Sequence, residues 1–380
     1  MVSIPNQHFF QWVNQLRGAG YDVYWFDISG SGIKSERIKW LTQFNDWNLK
    51  WDFPGRNTIK NRFPKVYRII QKFNDREVDV YFEKLLGQIK PDIVHSFAMQ
   101  LSCLPILEVM KNHTETKWVY SSWGSDVFLH EKLGVSKNEF TEVLQRINYL
   151  ITDCKRDYKI ALENKFSNCF LGVYVGNGGL EINKNFILSA EYRNVFLIKG
   201  YEDGIGKALK IIEAIELLPI ELFKNLEIIV YSADLKVKEK IESSKYFKKV
   251  NVKIYIRGEF ISNDFLLEIM GKSILHIANS ISDGMPAAVV EAMGMGAFPI
   301  QSNPGNVSEE VISNGKNGYL IQNPFDEQEI ANHILNALKN APLREMAMEY
   351  NIKFVYQNFN RSDLKTQIIK LYEKIGEASH

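Results

Sequence analysis

Short apolar runs rich in β-branched and aromatic residues alternate, along most of this chain, with amphipathic stretches of helical length. No other feature restricts the fold as strongly. Strands are expected over 22–28, 92–97, 117–122, 149–153, 194–199, 226–232, 250–256, 274–279, 298–301 and 318–322. Helices are expected over 7–19, 78–88, 101–111, 205–218, 265–272 and 287–295. Strand-helix-strand repetition forces crossover connections, and these build parallel sheets with helices on both faces. The pattern pauses at 172–179, where Gly176-Asn177-Gly178-Gly179 is a turn and linker signal. A second series begins near Asn194. The chain's 380 residues also exceed what one core comfortably holds. The expectation is therefore an α/β chain of two doubly wound parallel-sheet domains facing across a cleft. The N-terminal domain covers 1–178 and the C-terminal one 179–357. A last segment, 358–380, carries a helix that packs back toward the first domain. In such sheets ligands bind beyond the carboxyl ends of the strands.

A formal net charge of +1 supplies no global field to attract nucleic acid. Cys103, Cys154 and Cys169 are widely spaced, without C-x-x-C or metal-ligand spacing, and read as buried thiols in a reducing compartment. The amino-terminal residues lack the basic and apolar regions of a signal peptide. No apolar run approaches the ~20 residues that span a bilayer. A cytoplasmic location follows, with contact at the inner face of a membrane left open.

The segment 34–72 differs in character. Lys34, Arg37, Lys39, Lys50, Arg56, Lys60, Arg62, Lys65, Arg68 and Lys72 stand against Glu36, Asp46 and Asp52, with Trp40, Trp47, Trp51 and Phe53 interleaved. Two readings stand side by side: a solvated basic insertion, or a surface for anionic headgroups or a phosphorylated acceptor. No recognition motif for nucleic acid accompanies it.

The densest chemistry lies in 274–301, ILHIANSISDGMPAAVVEAMGMGAFPIQ. A buried strand runs into the polar turn Ser280-Ile281-Ser282-Asp283-Gly284. Pro286 then opens a helix, where its missing N–H is no loss. Free N–H groups at a helix start form an anion site. Glu291 follows Asp283 by eight residues, so the carboxylates can lie about 12 Å apart along the axis. That is too far for a glycosidase pair, whose limit is about 9.5 Å. It suits two ends of one elongated ligand. The alternative is that Asp283 caps the helix and Glu291 is a half-buried surface acid.

The run Ser-x-Ser-Asp-Gly-x-Pro-x-x-x-x-Glu-Ala-x-x-x-Gly-Ala-x-Pro-Ile from Ser280 resembles the donor-site signature of glycosyltransferase family 4 (group 1), which has the GT-B fold. Asn303-Pro304-Gly305, Glu309 and Asn314-Gly315-Lys316-Asn317-Gly318-Tyr319-Leu320 continue the similarity, which covers about 194–335 well and the N-terminal half weakly. The resemblance implies a nucleotide-sugar donor, UDP- or GDP-linked, with sugar hydroxyls at Asp283 and ribose hydroxyls at Glu291. Phe196-Leu197-Ile198-Lys199-Gly200-Tyr201 and Gly206-Lys207-Ala208-Leu209 resemble the strand and loop that present two basic residues to the diphosphate, here Lys199 and Lys207. A P-loop is excluded by the glycine spacing and by Ala208 after the lysine. Arg257-Gly258-Glu259 resembles the loop beside the base. Gly200, Arg257, Gly258, Ser282, Gly284, Met285, Pro286, Ala287, Ala288 and Glu291 are thus the expected donor-binding set.

In the first half, Asp92-Ile93-Val94-His95 ends a strand in histidine, and Ser121-Ser122-Trp123-Gly124-Ser125-Asp126 resembles the family's loop near the acceptor. Trp123 stands where a histidine is usual, so His95 and Asp126 become the polar candidates. Two further departures are the short apolar start Val2–Ile4 and an aspartate, one methylene shorter than the usual glutamate, at 283. No Asp-x-Asp is present, and the resemblance implies no cofactor and no metal. It implies retaining transfer of a hexosyl-like group to an acceptor hydroxyl, and the basic insertion 34–72 points to a saccharide or lipid-linked saccharide acceptor in cell-surface polysaccharide synthesis. The competing readings are a sugar-nucleotide epimerase or phosphorylase, or a catalytically silent nucleotide-binding scaffold.

Overall fold

The structure is a computed structural model describing residues 1–51, 59, 62–63, 65–66, 70–71 and 74–377. The chain divides into two units: 1–153, 157–178 and 365–380 form the first, and 154–156 and 179–364 the second. Each is built on one parallel sheet.

In the first unit the strands are β1 (Val2–Ser3), β2 (Tyr24–Asp27), β3 (Thr42–Phe44), β4 (Ile93–Phe97), β5 (Lys117–Ser121), β6 (Tyr149–Thr152) and β7 (Cys169–Val173), in the order β3-β2-β1-β4-β5-β6-β7. The short β1 lies centrally, with Val2 opposite Phe26 on one side and Ser96 on the other. Two apolar clusters cover the two faces. Val2, Val94, Trp118 and Tyr120 meet the helix Leu107–Asn112 on one face. Phe97, Val119 and Ile151 meet the helix Gln7–Asn14 on the other. The strand order therefore reverses between β1 and β4, with their following helices on opposite faces.

Residues of the last helix, Arg361–Glu377, complete the second of these clusters through Ile368, Tyr372 and Ile375. The Tyr372 hydroxyl accepts from the Trp12 indole N–H at 3.1 Å and meets His95 Nδ1 at 2.6 Å.

The second unit has β8 (Val195–Lys199), β9 (Glu227–Ala233), β10 (Asn251–Ile256), β11 (Ser273–Ala278), β12 (Phe298–Ser302) and β13 (Tyr319–Ile321), in the order β10-β9-β8-β11-β12-β13. Phe196 and Ile198 pack with the helix Ala208–Glu216 on one face. Val195 and Leu197 pack with Ala292 and Met295 on the other. Here the reversal falls between β8 and β11.

The sequence reading missed β3 and β7. Thr42-Gln43-Phe44 is a three-residue edge strand with little apolar signal. β7 contains Gly172 at φ +132°, inside the stretch read as a pause. The helix expected at 101–111 is regular only over Leu107–Asn112, because Pro105 interrupts its start. Cys103 and Cys154 are buried thiols, but Cys169 is exposed, a correction explained by its place at the start of the edge strand β7. No helix among the described residues is long and apolar enough to cross a membrane.

Tyr372→Phe leaves the Trp12 and His95 groups buried without this partner and should cost about 2–4 kcal/mol in urea unfolding. Tyr21→Phe, whose hydroxyl makes a single partly exposed bond to Ile369 O at 3.3 Å, should cost under about 1 kcal/mol. Equal losses would contradict the role given to Tyr372.

Candidate functional site

At the reversal of the second sheet, the loops after β8 and β11 leave adjacent strand ends and stay together. Gly206 and Ser280 form an antiparallel bridge. Ile281 N–H donates to Ile205 O at 3.0 Å, and Lys207 N–H to Asn279 O at 2.9 Å. Glycine is needed at both ends of the first loop. A Cβ on Gly200 would lie 2.6 Å from Ala233 Cα, and one on Gly206 would run into the Tyr201 carbonyl. Asp203 holds the turn by accepting from Ile205 and Gly206 N–H at 3.2 and 3.0 Å.

Lys199, Asp283 and Glu291 gather at this end of the sheet. Both carboxyls keep some contact with solvent, yet enough water is excluded to raise them. Burial pushes Asp283 up; Lys199 and the Gly284 N–H pull it back. Burial pushes Glu291 up to about 7, against the charges of Arg361 and Lys199. The helix Ala287–Gly294 has Pro286 as its N-cap and no side-chain cap. Asp283 is therefore not the cap, and the first N–H groups, at Ala287 and Ala288, meet no capping side chain. Small residues seat this helix closely: a Cβ on Gly294 would stand 2.9 Å from Val355 Cγ1.

The remaining expected residues occupy the rim. The Lys207 ammonium donates to Gly204 O at 2.8 Å and lies 5.7 Å from the Phe325 ring centre. The Tyr201 ring carries two cations, Arg257 at 4.2 Å and Lys199 at 4.6 Å. Arg257 also binds Asp203 at 2.8 Å and Asp234 at 3.4 Å, so it ties the β8, β9 and β10 loops together. Gly258 beside it adopts φ +100°. Ser282, Gly284 and Pro286 are buried, and Met285, Ala287 and Ala288 half-buried, along the turn and helix start.

Two residues here escaped the sequence reading. Tyr231, paired with Lys199 across β8 and β9, bonds His276 Nε2 at 2.9 Å. Burial, then the Lys199 charge, pushes His276 down to about 3, so it is neutral. The signal was present: a histidine inside the apolar run Ile274–Ala278 needs a buried partner.

In the first unit the expected pair is internal. His95 is fully buried, with Nδ1 on Tyr372 and Nε2 on Ser121 Oγ at 2.7 Å, and burial holds it well below its ordinary value. Asp126 is also buried. It accepts from Tyr120 hydroxyl at 2.6 Å and from Met99 and Trp123 N–H at 2.8 Å each. Each side-chain nitrogen of His95 and each carboxylate oxygen of Asp126 has a hydrogen-bond partner within the unit.

The basic segment also changes character. Trp47 is buried and donates to Asp27 O at 2.6 Å, and half-buried Trp40 donates to Asn14 Oδ1 at 2.8 Å. Only Trp51 of the described aromatic residues in 34–72 other than Phe63 is strongly exposed. Asp52, Phe53, Arg56, Lys60, Arg68 and Lys72 lie outside the described residues. A recess of about 440 Å³ lined by Tyr24, Phe82, Lys90 and Asp92 opens at the amino ends of β2 and β4. Parallel sheets bind ligands at the other end.

Two doubly wound parallel sheets in one chain define the GT-B class of fold. Residues 206–354 match the family model described as Glycosyl transferases group 1. Spore coat protein SA of Bacillus subtilis (strain 168) is 33% identical over 84 residues, which is 22% of this chain and 22% of that protein. The chain thus spans about a fifth of that curated relative. Among solved structures, sucrose-phosphate synthase of Thermosynechococcus elongatus superposes with a TM-score of 0.71 at 13% identity, over 99% of both chains. HepE of Anabaena, in complex with UDP and glucose, gives 0.67 at 13% identity, over 98% of this chain and 99% of that one. Residues 206–354 are thus similar to the glycosyl transferases of group 1, and the whole chain has the GT-B fold.

A raised carboxyl has a defined effect on stability. Between the usual value of 4.5 and about 7, folded Glu291 binds more protons than unfolded Glu291. Its contribution is therefore fully present below pH 4.5 and lost as pH rises through 7. Glu291→Gln should change urea-unfolding stability little at pH 4.5 and stabilise by about 1–3 kcal/mol at pH 8. A difference that does not vary with pH would contradict the burial argument.

Proposed function

We propose that the chain is a retaining, metal-independent glycosyltransferase. It moves a sugar from a nucleotide-diphosphate donor, UDP- or GDP-linked, to a hydroxyl of a saccharide or lipid-linked saccharide in cell-surface polysaccharide synthesis. One observation carries the reading: the Gly206–Ser280 bridge joins the two loops that bring Lys199, Lys207, Asp283 and Glu291 to one end of one sheet. HepE and its complexes with UDP, glucose and UDP-glucose support it by likeness of fold.

The diphosphate lies at Lys199, Lys207 and the uncapped N–H groups of the helix start, which do what a divalent cation does elsewhere. Asp283 accepts from sugar hydroxyls and Glu291 from the ribose, so both act by positioning. Breaking the C1–O bond places positive charge on the sugar ring and negative charge on the phosphate. Lys199 stabilises the second charge as it forms. The acceptor oxygen attacks from the face that the diphosphate leaves, and the departing phosphate takes its proton. No protein nucleophile is required.

Calorimetric titration of the purified chain with UDP, GDP and uridine tests the donor site. Lys199→Ala should weaken UDP about 10- to 100-fold while leaving uridine nearly unchanged. Glu291→Ala should weaken both. Because ionised Glu291 is the acceptor, UDP-glucose or GDP-mannose binding should fall about tenfold from pH 8 to pH 6, and Glu291→Gln should flatten that profile. Unchanged affinities in both alanine variants would sink the assignment. Conversion of donor alone to an isomeric sugar nucleotide would favour an epimerase.

A further inference from the structure

The first sheet has its own reversal, between β1 and β4, and the candidates expected near it are internal. Two rings stand beyond the carboxyl ends of its strands instead. His8 lies in the first turn of the helix Gln7–Asn14 that follows β1, and half-buried Trp123 follows β5. Their ring centres are 6.2 Å apart and their planes tilted by 51°.

Trp123 is held from below. Its backbone N–H donates to the buried Asp126, and Phe97 backs the indole at 6.2 Å. Its indole N–H is treated differently from those of five other tryptophans. Trp12, Trp25, Trp40, Trp47 and Trp118 each donate theirs, to Tyr372, Ser3, Asn14, Asp27 and Ser96. Trp123 has no such acceptor among the described residues. A tryptophan that offers both a ring face and an unused N–H at the ligand-binding end of a parallel sheet is suited to a partner with one apolar face and a hydroxyl edge. A pyranose has that shape: axial C–H groups on one face, hydroxyls around the rim. The negative ring face of the indole attracts the polarised C–H groups.

We infer that Trp123 and His8 form a pyranose subsite for the acceptor. The sugar's C–H face rests on the indole, one hydroxyl accepts from the indole N–H, and the His8 imidazole bonds a neighbouring hydroxyl. The subsite rests on the transferase reading above and assigns the acceptor's sugar ring to these two side chains.

Saturation-transfer NMR and titration of the full chain with methyl glucoside, methyl galactoside and methyl N-acetylglucosaminide, each with and without UDP, test the subsite. At least one should bind. Trp123→Ala should weaken it about tenfold, and Trp123→Phe, which keeps a ring face and removes the N–H, about threefold. His8→Gln should weaken it by a similar factor, and UDP affinity should stay within twofold of wild type in all three, as expected of a site acting on the acceptor alone. Near-UV dichroism and urea midpoints check that each variant folds. Absence of binding by every pyranoside, or equal binding by wild type and all three variants, would overturn the inference. The UDP titration judges the donor reading separately, because the pyranoside comparison is also made without nucleotide.

Discussion

Two carboxyl groups drawn partly out of water beside one ammonium set the electrical character of the second unit's site. Burial favours the neutral form of Asp283 and Glu291, and Lys199 opposes it for both. The same charge helps keep His276 neutral, so the polar floor of the site adds no second cation there. In the proposed function, a diphosphate at Lys199 adds negative charge near carboxyls that burial already favours in the neutral form. On that proposal the uncapped helix N–H groups and Lys207 share the phosphate charge with Lys199. The site's acids and bases are therefore one coupled system.

Such a balance holds only if the backbone keeps the groups in register, and the fold does this at both ends of the Ala287–Gly294 helix. At its start, the bridge to Gly206 fixes the preceding turn. At its end, the buried Arg193 guanidinium donates to Met295 O at 2.9 Å, with Ser273 O and Leu188 O as further acceptors. Burial lowers Arg193 to about 10, still well above neutrality, so the clamp stays charged. Glu291 lies on the helix between these two fixed points.

The alternation of strand and helix is legible in sequence because a sheet buried on both faces demands apolar runs, and ten such runs lie within a few residues of observed strands. β3 and β7 escaped for the opposite reason: edge strands bury one flank only, and Thr42, Gln43, Cys169 and Gly172 carry little of that demand. The motif positions 95 and 126 were also visible, but not their burial. A histidine or aspartate at a strand end serves a ligand or the loop itself, and only the hydrogen bonds decide. His95 with Tyr372 and Ser121, and Asp126 with Tyr120, Met99 and Trp123, serve the loop.

The two sheets also differ in how their sites are written into the chain. The turn and helix from Ser280 to Glu291 form one continuous stretch, so the spacing between its groups is a spacing in sequence. His8 and Trp123 are brought together by β1 and β5, with β4 between them in the sheet. No periodicity links residue 8 to residue 123, and each ring alone is ordinary. The tryptophan that replaces the usual histidine is the sole local sign, and it became informative only against five other tryptophans whose indole N–H groups all have acceptors. A site built from one segment declares itself by pattern. A site assembled across strands declares itself by what the fold leaves unpaired.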